Sequence, residues 1–241
     1  MASIIALPPP SQNKLAGFSN NQLKIIAMLS MLVDHVGEHL YPDVGFLRAI
    51  GRLALPLFAY MIAEGCLYTK NRARYLILLS TLAVLCQAVF YITTGSLYQG
   101  ILITFSLSVM TVYSIDYILK SKNALKIITG VVGVAFVTFI SVGCPILLEG
   151  EGFRIDYGVL GMLLPVAVYY APNKLGKLIA CAFMLVLLAL NIQSVQFYSL
   201  LAIPLLALYN GKRGTKKLKY VFYVFYPLHL IVIYAVGIFL L

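Results

Sequence analysis

The stretch Met31-Leu32-Val33-Asp34-His35-Val36-Gly37-Glu38-His39 sets four ionisable side chains into an otherwise apolar run. Such groups are expensive in hydrocarbon unless they pair or line a cavity, so their concentration marks a site. A carboxylate beside an imidazole can fix the ring's tautomer and raise its basicity, which is the chemistry of a general base. On a helix turning about 100° per residue, Asp34 and Glu38 share one stripe and His35 and His39 the next. Lys24 precedes His35 by eleven residues and shares its face, roughly 16 Å away along the axis. Glu38, His39 and Tyr41 read as the rim at the outer helix end, which leaves Asp34 and His35 as the deeper pair. The residues from His35 to His39 also spell H-x-x-E-H, the inverted zinc-peptidase pattern. No third ligand follows it, so no metal is expected.

Three further groups carry chemistry. Arg48 and Arg52 stand one turn apart, ahead of Pro56 and Glu64-Gly65. Two guanidinium groups so spaced can hold a carboxylate, a phosphate or an oxyanion, or they can neutralise Asp34 and Glu38 across a short hairpin. Glu64 is expected to cap its helix or pair with Lys70, Arg72 or Arg74. The stretches 69–75 and 209–214 contain Asn71, Arg72, Arg74, Asn210, Lys212 and Arg213. Their tight turns would expose backbone N–H groups among basic side chains, a combination that suits phosphate. Near the C-terminus, Tyr226-Pro227-Leu228-His229 puts a kink beside an intramembrane histidine and points Tyr226 and His229 toward a cavity. Asp116 reads as a helix-end charge and Asp156 as a helix N-cap.

These residues need helices to position them. The chain has 241 residues, of which 61% are hydrophobic and 11% charged, and its mean hydropathy is +0.94. That composition excludes a soluble globular protein and places the chain among integral membrane proteins. Continuous apolar runs near 23–41, 46–66, 75–93, 99–118, 125–147, 157–171, 177–190, 195–209 and 220–240 predict an all-α polytopic bundle. About nine transmembrane helices are expected, with eight or ten as neighbouring counts. Alternate connections hold fifteen of the eighteen Lys and Arg residues, while the intervening ones hold Arg154 with Asp43, Glu149, Glu151 and Asp156. The basic side is therefore assigned to the cytoplasm, with the N-terminus inside.

The net charge of +10 follows from those short loops, so lipid headgroups are the expected polyanion and nucleic acid is not. The four cysteines are scattered without C-x-x-C spacing and read as small buried hydrophobes. Residues 1–20, with Pro8-Pro9-Pro10, read as a disordered cytoplasmic tail without a cleavable signal. Residues 21–241 read as a single transmembrane domain.

The order of these pieces resembles the TraX family of membrane proteins. The likeness rests on Leu23-Lys24-Ile25-Ile26-Ala27, Met31, Asp34-His35-Val36-Gly37, Arg48-x-x-Gly51-Arg52-Leu53-Ala54-Leu55-Pro56-Leu57-Phe58-Ala59, Glu64-Gly65 and Thr69-x-Asn71-x-x-x-Tyr75. It continues in Tyr209-Asn210-Gly211-Lys212-Arg213-Gly214 and Phe222-Tyr223-x-Phe225-Tyr226-Pro227-x-His229-Leu230. A looser likeness reaches the acyltransferase-3 membrane family, in which ten residues separate a basic residue from a histidine in the first helix, as between Lys24 and His35.

The resemblance implies a membrane acyltransferase in the cell (plasma or inner) membrane. It would carry acetyl from cytoplasmic acetyl-CoA to an amine or hydroxyl, such as a pilin-like peptide N-terminus or a surface glycan. His35 and Asp34 are the expected catalytic pair, and Arg48, Arg52, Glu64, His229 and Tyr226 the cluster around acceptor and oxyanion. Lys24, Asn71, Arg72, Arg74, Asn210, Lys212 and Arg213 are the expected contacts to the acyl-CoA. The rival reading is a transporter or flippase whose His/Asp/Arg cluster relays protons or binds an anionic headgroup.

Overall fold

The structure, a computed structural model, describes residues 17–214 and 219–240. Residues 1–16 of the expected tail lie outside the described residues, as do Lys216 and Lys217. Gly17, Phe18 and Ser19 lie against residues 208–213. The Phe18 N–H donates to the Leu208 carbonyl at 2.9 Å, and the Asn210 N–H donates to the Phe18 carbonyl at 2.9 Å.

Helices occupy the apolar runs. They are α1 Asn20–His39, α2 Gly45–Gly51, α3 Ala54–Tyr68, α4 Arg72–Thr94, α5 Ile101–Lys120, α6 Ala124–Thr138, α7 Cys144–Leu147, α8 Gly158–Tyr170, α9 Lys174–Asn191, α10 Ala202–Ala207 and α11 Lys219–Leu240. Their starts follow from local chemistry. Ser19 caps α1 through a reciprocal capping box with Gln22, and Asn71, Asn123 and Asn173 cap α4, α6 and α9 with their side-chain oxygens. Each such oxygen satisfies a backbone donor that the first helical turn leaves over.

Among the described residues, five segments are long and apolar enough to cross a membrane: Gly45–Tyr68, Arg72–Thr94, Ile101–Lys120, Ala124–Leu147 and Lys174–Asn191. Three runs expected as plain helices depart from regularity at prolines. The run at 46–66 breaks after Gly51 because Pro56 has no N–H to donate to the carbonyl four residues back. In the run at 125–147, a π-helical turn at Phe139–Gly143 precedes Pro145. The run at 195–209 begins as a 3-10 helix, Ser194–Leu201, and becomes α-helical just before Pro204.

The core centres on α3. Leu57, Ala59, Tyr60, Met61 and Ala63 are all buried, packed with Leu23 and Ala27 of α1, Val109 and Val112 of α5, Leu164 and Val168 of α8, and Leu185 and Leu188 of α9. α11 packs along α1 and touches α4. A two-residue parallel pairing, β1 Tyr98–Gln99 with β2 Arg154–Ile155, ties the loop before α5 to the loop before α8.

Basic groups converge at one end of the bundle through their contacts. Arg72 and Lys120 both reach Asp116, and the Lys174 ammonium donates to the carbonyls of Ala207 and Tyr209. The carbonyls of Lys212 and Arg213 accept from the N–H groups of Asn20 and Asn21 at the start of α1.

Candidate functional site

α1 and α2 meet at two glycines. A methyl group on Gly51 would overlap the Asp34 carboxylate, and one on Gly37 would press on Leu47 and Arg48. That close approach lets both arginines of the broken hairpin reach one carboxylate. Arg52 Nη2 donates to Asp34 Oδ1 and Oδ2 at 2.8 and 2.9 Å. Arg48 Nη1 lies 3.0 Å from Asp34 Oδ2 and 2.9 Å from Glu38 Oε2. Two acids and two arginines therefore form a neutral cluster, with Arg52 itself buried. The arginines act as counter-ions to Asp34 and Glu38, one of the two roles expected of them.

Asp34 is consequently not the partner of His35. His35 Nδ1 instead lies 2.9 Å from Nε2 of His229 on α11, and His229 Nδ1 lies 3.0 Å from the Phe225 carbonyl. A carbonyl oxygen only accepts, so His229 carries a proton on Nδ1 and, as a neutral ring, presents a lone pair at Nε2. His35 must then donate from Nδ1, which leaves its Nε2 as a lone pair. The rings of His35 and His229 stack with centroids 5.1 Å apart, and Tyr226 meets His229 edge-on at 5.6 Å.

His35, Asp34, Glu38, His39, Arg48, Arg52 and Tyr226 all line one cavity of about 640 Å³. Its far wall holds residues to which sequence reasoning gave a lesser role. Asp156 does not cap α8; its Oδ1 accepts from the Tyr98 hydroxyl at 2.6 Å. Burial pushes the Asp156 carboxyl up to about 6, against the Tyr98 hydrogen bond and the Arg52 charge, which both lower it. The residue before α8 is Tyr157, held left-handed at φ 57°. That is a strained setting for an aromatic residue, at a cost of about 1 kcal/mol or more. Its hydroxyl accepts from Arg52 Nη1 at 3.2 Å, and Gln196 Oε1 accepts from the same nitrogen at 3.3 Å. The signal available in the sequence was an aspartate and a tyrosine just ahead of a glycine, too common a pattern to single out.

A second cavity, of about 760 Å³, opens at the basic end. Lys24, Lys70, Asn71, Arg74 and Arg213 line it, with Glu64, Tyr68 and Tyr75. Of the expected acyl-CoA contacts, Lys24, Asn71, Arg74 and Arg213 gather here, whereas Arg72, Asn210 and Lys212 do not. Arg72 lies 2.7 Å from the buried carboxylate of Asp116, which also accepts from Tyr169 and Tyr170. Asp116 is thus a buried hub and not a loose helix-end charge.

The Asn210 amide donates to the Gly17 carbonyl, and its oxygen accepts from the Lys212 N–H. The stretch 209–214 therefore clasps the start of α1 and does not offer its turns to an anion. Glu64 pairs with Lys177 of α9 at 2.5 Å, not with the basic residues at 70–74. Asn71 Oδ1 is taken by its capping bond to the Arg74 N–H.

The two cavities share Met31, Phe58, Ile101, Leu102, Phe105 and Tyr226 as common wall. Met31 lies one helical turn before His35, so this wall stands directly below the histidine pair. Among the described residues, no three His, Cys, Asp or Glu side chains converge as a metal site.

The fold and the two-sided site define a helical membrane protein with an ionised, hydrogen-bonded cluster held inside its bundle. The TraX protein family matches residues 19–237, and the chain belongs to that family. It is 26% identical to a protein named probable fimbrial assembly protein FimC, serogroup H1, of Dichelobacter nodosus, across 92% of this chain and 97% of that protein. It is 28% identical to an uncharacterized protein of Rickettsia prowazekii (strain Madrid E), across 76% of this chain and 66% of that protein. No solved structure matches the chain.

Proposed function

We propose that this chain is a membrane-embedded acyltransferase of the acyltransferase-3-like kind. It takes acetyl from acetyl-CoA at the Lys24 end and delivers it to an amine or hydroxyl at the His35 end. The observation that carries this reading is the pair of cavities meeting at one six-residue wall. A group-transfer reaction between substrates on opposite sides of a bilayer needs such a meeting point, whereas a packing scaffold does not.

The rim of Lys24, Lys70, Arg74 and Arg213 suits the phosphates of the coenzyme. The pantetheine arm would then run along the apolar groove toward the wall at Met31 and Phe105. Beyond it, His35 Nε2 offers a lone pair able to take the acceptor's proton. In this scheme the Asp34–Arg48–Arg52 cluster holds α2 against α1 and keeps net charge out of the cavity. Convergence of the basic loops at one end favours a cytoplasmic location for that end and for the N-terminus. With shorter helices such as α8 and α11 included, about nine segments would cross the membrane. The name of the Dichelobacter relative favours a fimbrial, pilin-like peptide as acceptor.

Purified protein in detergent should release CoA thiol from acetyl-CoA when offered a short peptide with a free N-terminal amine or a hydroxyl-bearing glycan. His35→Ala should lower that release at least about 100-fold. Unchanged turnover by His35→Ala would remove His35 as the base. Absence of release with either acceptor, alongside substrate uptake into proteoliposomes without acetyl-CoA, would favour the transporter reading.

A further inference from the structure

Acyl transfer places negative charge on the thioester oxygen, and a buried site must supply a donor to that atom. The charges of Arg48 and Arg52 are already balanced by Asp34 and Glu38, and the Arg52 Nε that lacks a partner is buried. Of the six residues that wall both cavities, five are apolar and Tyr226 alone has a polar side chain. Its hydroxyl takes no hydrogen bond from or to any described residue, and the side chain lines both cavities. The ring is fixed edge-on against His229, which in turn holds His35. Pro227 follows directly in α11 and frees backbone at that point of the helix. A thioester carbonyl reaching His35 from the basic end must cross the wall that Tyr226 belongs to.

We propose that the Tyr226 hydroxyl is the hydrogen-bond donor to the thioester oxygen, and hence a catalytic residue of the transfer. The inference rests on the acyltransferase reading above. In the step, the acceptor's nitrogen or oxygen attacks the carbonyl carbon while its proton passes to His35 Nε2. The C=O electron pair moves onto oxygen, which receives the Tyr226 O–H bond. On collapse the C=O bond re-forms, the C–S bond breaks, and the CoA thiolate takes the proton back from His35. Acyl-CoA and acceptor become acylated acceptor and CoA thiol, with no other reactant consumed.

Tyr226→Phe deletes one oxygen and keeps the ring. With acetyl-CoA and a short peptide bearing a free N-terminal amine, kcat should fall about 100-fold, with KM for acetyl-CoA within about threefold. Acetyl-CoA should still raise the thermal midpoint of the variant. Replacing Tyr226 with 3-fluorotyrosine keeps the ring and strengthens the donor, and should hold kcat at or above that of the unsubstituted protein. That response separates donation from mere packing. A Tyr226→Phe protein with unchanged kcat, while His35→Ala is inactive, would overturn the inference and leave the acyltransferase reading standing. Loss of kcat in both Tyr226 forms would assign the residue to packing and also overturn it. An inactive unsubstituted protein would overturn both.

Discussion

The bond between His35 Nδ1 and His229 Nε2 sets the form in which His35 can act. Because the Phe225 carbonyl can only accept, two neutral rings can share this geometry only with His35 donating from Nδ1 and keeping its lone pair at Nε2. Position 229 should therefore respond to the acceptor it presents more than to its size. His229→Phe keeps an aromatic ring beside Phe225 and Tyr226 but removes the lone pair. It should lower kcat at least about tenfold at unchanged KM for acetyl-CoA. His229→Gln places an amide oxygen near the lost Nε2 and should stay within about threefold of the unsubstituted protein. Equal damage from the two variants, measured by CoA release, would mean that His229 only fills space.

At the scale of elements, the informative piece is the join between β2 and α8. Tyr157 is left-handed, Asp156 is turned away from the helix it precedes, and both face the arginines of the α1–α2 hairpin through the cavity. Burying Asp156 raises its carboxyl to about 6 from an ordinary 3.8. The folded protein therefore holds a proton that the unfolded chain gives up between those values. The stability linked to that proton is complete below about 4 and is lost as pH rises through about 6. The protein in detergent should accordingly lose roughly 3 kcal/mol of stability across that window. Asp156→Asn should flatten the loss and raise the thermal midpoint at pH 7.5. A melting profile unchanged by Asp156→Asn between pH 4 and 7.5 would contradict this assignment. Elements were legible in the sequence only in part. The apolar runs announced the helices, whereas the Asn caps at 71, 123 and 173 and the breaks tied to Pro56, Pro145 and Pro204, though local in cause, were not expected. The strained Tyr157 is stabilised only by groups that the fold brings from elsewhere, and nothing local announces it.

For the whole molecule, the wall between the cavities is the part on which the proposed acyl transfer depends, since the two cavities meet only through its shared residues among those described. Leu102 belongs to that wall and is only partly buried. Leu102→Trp should fill the passage, so that acetyl-CoA still raises the thermal midpoint while kcat falls at least about tenfold. Turnover equal to that of the unsubstituted protein would mean that the donor does not pass this point.

What the sequence determined by itself was the class of molecule, the places of the helices and the apolar stretch in which ionisable groups gather. Apolar run length, caps and prolines act over a few residues, and four ionisable groups in one apolar run have few explanations. The tertiary structure decided among the charge pairings that the spacing left open. Asp34 goes to Arg48 and Arg52, Glu64 to Lys177 and Arg72 to Asp116. His35 goes to a histidine 194 residues further along. Adjacency on one helix places side chains on neighbouring stripes, but a hydrogen bond needs atoms about 3 Å apart, and that distance is set by the helix packed opposite.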